Sequence, residues 1–448
     1  MGSDGRQAEV PRAASGMVSL LSAFDELREL THITWVSPQT EQNTEKGVAH
    51  LPSKHRTLRV PTSEETLRIH TDEFSNQALW PICHQVFQKP KLSEKAWLAY
   101  DLLNREIATA LASDIRNEVR PENTPMVLVQ DYHFSRIPYW LKRMGIDAKI
   151  SVFWHIPWPS VEALRILPWH LQILDSLALC DAVGFHTQED VDRYHLSLRI
   201  LGLNPSQLNG QCIPAGPEDP PEPQKKWVAN TTSDARHFLA IGLDRLDYTK
   251  GIEERFHSID LLLSRRPELR GSFTLLQVAC PTRTHLPEYR ALASRIRRIA
   301  ESINLKYAGD STPRHPPIRL LERVLGEASM AALHRRADLA VVTPLHDGMN
   351  LVAKEHILHR GAIHDRSGAL VLSQFAGAAF ELKEAFLVNP FLPESICDGI
   401  ERAMDSSALE KRSRMAKLVT RVKAWTATDW ARRLIDVTWE PSRRIAAL

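Results

Sequence analysis

The stretch Phe238-Leu239-Ala240-Ile241-Gly242-Leu243-Asp244-Arg245-Leu246-Asp247-Tyr248-Thr249-Lys250-Gly251 decides the fold. It opens as a short, unbroken apolar run and closes on charge and a glycine. Such a run is what a parallel strand covered on both faces requires. Its carboxyl end is where ligands of open α/β sheets collect. Arg245 and Lys250 lie five apart in that strand-to-loop turn, and Gly251 permits a backbone bend there. Arg offers a planar fork and Lys a point charge, and the two together suit a pyrophosphate. No metal-ligand cluster lies near them in the sequence, so the cations themselves would stabilise a leaving diphosphate. An Arg–Asp pair on a surface turn is the plainer alternative, and spacing alone does not choose between the two.

A second stretch repeats the pattern. The run Leu339–Val342 leads into Pro344-Leu345-His346-Asp347-Gly348-Met349-Asn350-Leu351-Val352-Ala353-Lys354-Glu355. Asp347-Gly348 reads as a tight turn, and Asn350 to Glu355 as the first turns of a helix. The free N–H groups at that helix start form an anion site. Glu355 falls about one and a half turns in, where a carboxylate would grip ribose hydroxyls; a Glu favoured by the helix dipole is the bland reading. Gly377-Ala378-Ala379, after the run Ala369–Leu372, supplies the small residues a closely approaching ligand requires.

Outward from these stretches the alternation of strand and helix continues. Further strands are expected at Phe273–Val278, Ile318–Leu321 and Phe386–Val388. In the first half, Met126–Val129, Ile150–Trp154 and Ala182–Phe185 read as buried parallel strands, each ending in polar residues: Asp131-Tyr132-His133, His155 and His186-Thr187. Asp131 and His155 thus fall at adjacent strand ends, where they read as a base pair or as groups that hold sugar hydroxyls. Helices are expected over Val18–Leu30, Glu94–Val119 and Leu409–Ile435, strands also at His32–Val36 and Thr57–Val60, and a poorly ordered start at residues 1–16. Five prolines within residues 214–226 exclude a helix or central strand there and mark an interdomain linker, with a rigid loop as the alternative. The expected domains are residues 1–222 and 223–448, the second carrying the C-terminal helix: two Rossmann-like α/β domains facing a central cleft.

Composition sets the outer limits. The chain has 448 residues, which suits two domains. A net charge of +2 gives no basic field for nucleic acid. Five widely spaced cysteines without a Cys-x-x-Cys argue against a disulfide framework and a zinc site, and fit a reducing cytosol. The first residues lack the apolar core of a secretory signal, and no 18-residue uncharged apolar run suggests a membrane span. The expectation is a cytoplasmic protein with no metal or other cofactor, no nucleic-acid partner and no membrane; a homo-oligomer is compatible with it.

Taken in order, Phe74-Ser75-Asn76-Gln77-Ala78-Leu79-Trp80-Pro81, Asp131-Tyr132-His133, His155-Ile156-Pro157-Trp158-Pro159, Gly184-Phe185-His186-Thr187, Asp244–Gly251, Asp347–Glu355 and Leu372-Ser373-Gln374-Phe375-Ala376-Gly377-Ala378 resemble glycosyltransferase family 20, the α,α-trehalose-phosphate synthases, from about residue 31 to 435. The resemblance implies a GT-B fold and a metal-independent transfer from a nucleoside-diphosphate-glucose, with retention at the anomeric carbon and no protein nucleophile. It implies that Arg245 and Lys250 contact the donor diphosphate. Asp347, Gly348, Met349 and Asn350 would hold the donor sugar, with Asn350, Leu351 and Val352 near the phosphates and Glu355 on the ribose. His155 would touch the donor sugar. Trp35, Trp80 and Asp131 would line the acceptor side, and Tyr132 and Arg283 would reach an acceptor phosphate; Asp131, His155, Arg245, Lys250 and Asp347 would be the catalytic set.

Departures from the family lie on the acceptor side. The family opens with a strand and an Asn-Arg-x-Pro segment whose Arg binds the acceptor phosphate; that strand is expected to be missing, and Ser15-Gly16 stands where Gly-Gly is usual. Thr71 replaces a Tyr, and His346 an Arg. One lost charge-assisted phosphate contact costs about 1.5–3 kcal/mol, roughly ten- to a hundred-fold in binding. The acceptor implied first is glucose 6-phosphate, giving trehalose 6-phosphate and a nucleoside diphosphate. The alternatives are glycerol 3-phosphate, an amino-cyclitol phosphate or another natural-product intermediate, and, less readily, a non-catalytic subunit of a trehalose synthase complex.

Overall fold

The computed structural model describes residues 20–27, 33–40, 55–119, 123–203, 208–217, 237–308, 315–363 and 368–440. The expectations for residues 1–16, including Ser15-Gly16, and for most of the Pro-rich stretch lie outside the described residues. The chain divides into two compact units: an N-terminal unit within Ser19–Ala215 joined by Ala427–Leu448, and a C-terminal unit within Gly216–Thr426.

In the N-terminal unit, β1 (Thr34–Gln39) and β2 (Arg56–Pro61) form a parallel pair of their own. The main sheet is all parallel, in the order β3 (Met126–Gln130), β4 (Lys149–Phe153), β5 (Ala182–Phe185), β6 (Gly210–Cys212). Each strand but β6 was legible as an apolar run. β6 is three residues long and reads Gly-Gln-Cys, so it carries no such signal. The described part of the helix expected over Val18–Leu30 ends in a tight turn, Ala23–Glu26, after which Leu27 is extended. The helix Glu94–Glu118 is as expected, and Ser93 caps it by accepting from Ala96 N. Between two short helices, residues Ile69–Leu79 wind in wide π-helical turns that bury Phe74 and Leu79 beside polar Asn76. Wide turns of this kind are rare and gather at functional sites.

The C-terminal unit holds a six-stranded parallel sheet in the order β12 (Phe386–Val388), β11 (Ala369–Ser373), β10 (Leu339–Val342), β7 (Phe238–Arg245), β8 (Phe273–Cys280), β9 (Ile318–Leu321). Successive residues of β7 point to opposite faces: Leu239, Ile241 and Leu243 join one buried cluster and Ala240 the other. Both faces are covered by helices, which is why the strand is apolar from Phe238 to Leu243. Sequence order reverses between β7 and β10. That reversal opens the crevice at the carboxyl ends where doubly wound sheets bind ligands.

One expected boundary is corrected. The segment Leu409–Ile435 is not one helix of the second domain but two, Ala408–Lys423 and Ala427–Trp439, and the second packs in the N-terminal unit. The cause is Trp430. Its fully buried ring lies 5.1 Å from Phe153, 5.6 Å from Phe24 and 5.9 Å from His155 between centroids. An amphipathic segment follows its largest apolar side chain into whichever core receives it.

Candidate active site

In the C-terminal unit the loop after β7 meets the loop after β10 at the topological reversal. Lys250 Nζ lies 2.6 Å from Asp347 Oδ2, and Asn350 Nδ2 donates to the same oxygen at 3.0 Å. Asn350 takes a left-handed conformation, φ 79°, and its Oδ1 caps the helix Leu351–Gly361 by accepting from Ala353 N at 3.1 Å. The residues named for the donor, Gly348, Met349, Leu351 and Val352, run along this loop and helix start. Two glycines let the backbones approach. Gly251 sits at φ 62° with Thr343 O only 2.3 Å from where a Cβ would be, and at Gly377 a Cβ would stand 1.9 Å from Gly348 O.

Beneath the loops lies a buried polar network that sequence reading missed. The Arg255 guanidinium is fully buried and reaches Asp244 Oδ2 at 2.5 Å, Gln277 Oε1 at 2.7 Å, Thr343 Oγ1 at 3.0 Å and the Lys250 carbonyl at 3.2 Å. It thereby ties the ends of β7, β8 and β10 together and fixes the backbone that carries Lys250. Asp244 is therefore not part of a surface turn. Gln277, an amide in the middle of the largely apolar run Phe273–Val278, was the available signal.

Asp247 is buried and accepts from Thr249 N, from Arg283 Nη1 at 3.2 Å and from the Tyr289 hydroxyl at 3.2 Å. Burial opposes its charge, but Arg283, Arg245, the Thr249 amide and Lys250 together hold its carboxyl below the usual range. Arg283, named for an acceptor phosphate together with Tyr132, engages the Asp247 carboxylate in the C-terminal unit; Tyr132 lies in the N-terminal unit. Arg245 is half-buried at the end of β7, next to Asp247. Glu355 lies on the helix Leu351–Gly361, where burial, with Glu327 adding, pushes its carboxyl up to about 7. Its neighbour Lys354 is fully buried and grips both Glu381 oxygens at 2.9 Å.

In the N-terminal unit Asp131 closes β3 with φ 69° and ψ 169°, a region that costs a non-glycine residue of order 1–3 kcal/mol. Its Oδ1 accepts from Tyr132 N at 2.9 Å and from the His155 backbone N at 3.2 Å; Oδ2 faces His133 Nδ1 at 3.6 Å. Burial opposes the Asp131 charge, but His133, His155 and the Tyr132 amide lower its carboxyl. Of the readings left open for Asp131 and His155, a direct pairing of the ring with the carboxylate does not form. The His155 ring turns to Gln130 instead, Nε2 to Oε1 3.0 Å, and burial lowers its basicity to about 4 against the pull of Asp131. His155 is neutral at pH 7.

Tyr132 and Trp80 come together, with ring centroids 6.2 Å apart, and the Tyr132 hydroxyl donates to Asn76 Oδ1 at 3.2 Å. Trp35 meets a different ring, Phe24 at 6.4 Å, which in turn packs on Trp430. The His70 Nε2–H donates to the His133 carbonyl, 2.8 Å away, so Nδ1 is left to accept from the Thr71 hydroxyl at 3.3 Å. Among the described residues no group of three or more His, Cys, Asp or Glu is placed to hold a metal, and no helix is long and apolar enough to cross a membrane.

The family model of glycosyltransferase family 20 matches residues 3–211 and 220–438. An alpha,alpha-trehalose-phosphate synthase [UDP-forming] of Schizosaccharomyces pombe is 30% identical over 447 residues, covering 94% of this chain and 85% of that one. A trehalose-6-phosphate synthase of Mycobacterium leprae is 35% identical over 402 residues, covering 83% and 78%. Among solved structures, an E. coli trehalose-6-phosphate protein bound with UDP-2-fluoro glucose superposes with a TM-score of 0.81 at 26% identity, covering 96% of this chain and 97% of that one.

Proposed function

This chain belongs to glycosyltransferase family 20, and we propose that it transfers glucose from UDP-glucose to glucose 6-phosphate, giving trehalose 6-phosphate and UDP. The observation that carries the reading is the Lys250–Asp347 pair, with Asn350 on the same oxygen, at the reversal between β7 and β10. A cation, a carboxylate and a capped helix start converge where a sugar diphosphate needs a charge partner, a hydroxyl acceptor and amide donors. The names of the S. pombe and M. leprae relatives support the product, and the E. coli structure's ligand supports the donor.

In this reading the bond between the donor's anomeric carbon and the diphosphate oxygen breaks, and the acceptor's anomeric oxygen bonds to that carbon from the same face. The acceptor proton passes to a phosphate oxygen of the departing UDP. Arg245 and Lys250 stabilise the charge that develops on the diphosphate. Asp347 and the Gly348–Asn350 backbone hold the glucosyl hydroxyls, and Glu355 holds the ribose. A His155 that titrates near 4 serves as a hydrogen-bonding group rather than an acid or base. Asp131, Trp80 and Tyr132 line the acceptor side. No metal enters the reaction. The five widely spaced cysteines without a Cys-x-x-Cys suit a reducing compartment, and a cytoplasmic location belongs to this reading.

The test is purified protein with UDP-glucose and a panel of glucose 6-phosphate, glycerol 3-phosphate, amino-cyclitol phosphates and unphosphorylated sugars, reading UDP release with and without EDTA. UDP release with glucose 6-phosphate, undiminished by EDTA, is expected. Turnover only with an unphosphorylated acceptor overturns the acceptor, and an EDTA loss that Mg²⁺ restores overturns the metal-independent step.

A further inference from the structure

We propose that Gln130 is a positioning residue: its side-chain carbonyl accepts from His155 Nε2–H, fixing the proton on Nε2 and leaving Nδ1 as the acceptor for a substrate hydroxyl. The sugar that supplies the hydroxyl rests on the function proposed above; the tautomer does not.

Gln130 is the last residue of β3 and pairs in register with Phe153 of β4, two residues before His155. That register brings its Oε1 to 3.0 Å from His155 Nε2. The ring itself is held by three others, with centroids at 4.5 Å (Phe153), 5.3 Å (His186) and 5.9 Å (Trp430). Orientation is therefore set by packing, and what remains for Gln130 to set is the proton.

Asp131, the nearest carboxylate, does not compete for the ring. Its Oδ1 takes the His155 backbone N–H, and its Oδ2 faces His133. Asp131 and His133 are the charged or titratable groups that act on His155 electrostatically, and His186 is the titratable ring packed against it. Burial outweighs the pull of Asp131, so the ring is neutral across the physiological range and carries one proton. In a neutral imidazole the nitrogen that bears the proton is chosen by its partner. A carbonyl oxygen can only accept, so Nε2 is the donor and Nδ1 holds the lone pair. Gln130 Nε2 is buried and meets no partner among the described residues. Among the described residues, the side-chain contact this amide makes is thus the one to His155.

The experiment uses the full chain with ¹⁵N-labelled histidine and long-range ¹H–¹⁵N spectra, His155→Ala identifying the signal. Wild type is expected to show only the Nε2–H form from pH 6 to 8. Gln130→Leu, checked for an unchanged melting profile, is expected to mix the tautomers and lower kcat/KM roughly three- to tenfold, the size of one neutral hydrogen bond. Gln130→Glu keeps an acceptor at the same place. It is expected to restore the Nε2–H form while raising the His155 pKa, so that kcat/KM falls off at a higher pH on the acid side. A merely structural Gln130 would not move that limb. A wild-type ring protonated on Nδ1, or a Gln130→Leu enzyme with an unchanged tautomer and unchanged kcat/KM, overturns the proposal. The spectra need no substrate, so a protein that failed to use glucose 6-phosphate would refute the proposed function and still leave the tautomer decided.

Discussion

Gly377→Ala probes the donor loop without removing a charge. The added Cβ would lie 1.9 Å from Gly348 O, 2.7 Å from its carbon and 3.1 Å from Met349 Cα, where Cβ atoms essentially never come within 3.0 Å. All three neighbours are backbone, so no side chain can swing aside. The two segments must part by about 1.1 Å, the shortfall between 1.9 and 3.0 Å. They are stitched by Gly377 N to Asp347 O at 3.0 Å and Ala378 N to Met349 O at 2.7 Å. Opening by that amount takes both bonds beyond useful length and costs roughly 1–3 kcal/mol, or about 2–12 °C in Tm for a unit of this size. The larger effect is on turnover: displacing a positioning group by about 1 Å costs on the order of a hundredfold. UDP release under donor saturation and at limiting donor gives kcat and KM, and circular dichroism gives Tm. Gly399→Ala is the control. There the Cβ would meet Val388 Cγ1 at 2.4 Å, on the helix Pro393–Asp405, so stability should fall while the donor KM holds. A Gly377→Ala enzyme with kcat/KM within twofold of wild type would refute the reasoning.

Three further perturbations separate the layers of the site. Lys250→Ala removes the cation from both the diphosphate and Asp347; kcat/KM should fall at least about a hundredfold, the value of one or two charge-assisted contacts, and near-normal turnover of a folded variant would sink the assignment. Arg255→Met leaves the Asp244 carboxylate buried beside Gln277 and should destabilise by about 3–5 kcal/mol in urea denaturation; a loss under about 1 kcal/mol would show that the network bears little. Glu355 titrates near 7 because burial penalises its charged form. Its hydroxyl-gripping carboxylate is therefore lost as pH falls through 7, and donor KM should rise on that side. Glu355→Gln should flatten the profile, and an equally steep profile in the variant would remove Glu355 from the explanation.

The central strands were legible because they are buried on both faces and so are written as continuous apolar runs: Leu339–Val342 and Ala182–Phe185 appear with the bounds read from sequence. The loops that end them were legible because charge following such a run has few structural uses. What was not legible shares a cause. Arg255 looks like any helix arginine until the fold brings Asp244, Gln277 and Thr343 around it. Trp430 reads as the apolar face of a C-terminal helix, and nothing local says which core it enters. The His155 partner was misread because Asp131 is the obvious carboxylate, whereas β3–β4 register delivers Gln130. Strain was hidden too. Asp131, Arg283 and Asn350 are three of the five non-glycine residues with positive φ among the described residues, and Arg283 is of a residue type that gives no sign of the habit.

The charge in this molecule is also unevenly divided by task. In the C-terminal unit a fully buried layer, Arg255 with Asp244, Gln277 and Thr343, underlies a slightly exposed layer, Lys250 with Asp347 and Asn350. The lower layer touches nothing that reacts, yet it holds the Lys250 carbonyl and so fixes the cation above it. Electrostatic catalysis depends on groups that stand in place before charge develops, since dipoles that must reorganise give back what they gain. Lys250 carries three donors, and Asp347 takes one of them at 2.6 Å. An arriving diphosphate thus meets an ammonium already oriented and only partly engaged. Around Asp131 and His155 the logic differs. There the ring is neutral, the carboxylate is occupied by backbone amides and His133, and the tautomer is fixed by an amide. Such a surface sorts hydroxyls by direction and contributes little field. Changes of charge in the C-terminal unit should therefore act on kcat, whereas changes of hydrogen-bond geometry at Gln130, Asp131 and His155 should act on which sugar is held and how it is turned.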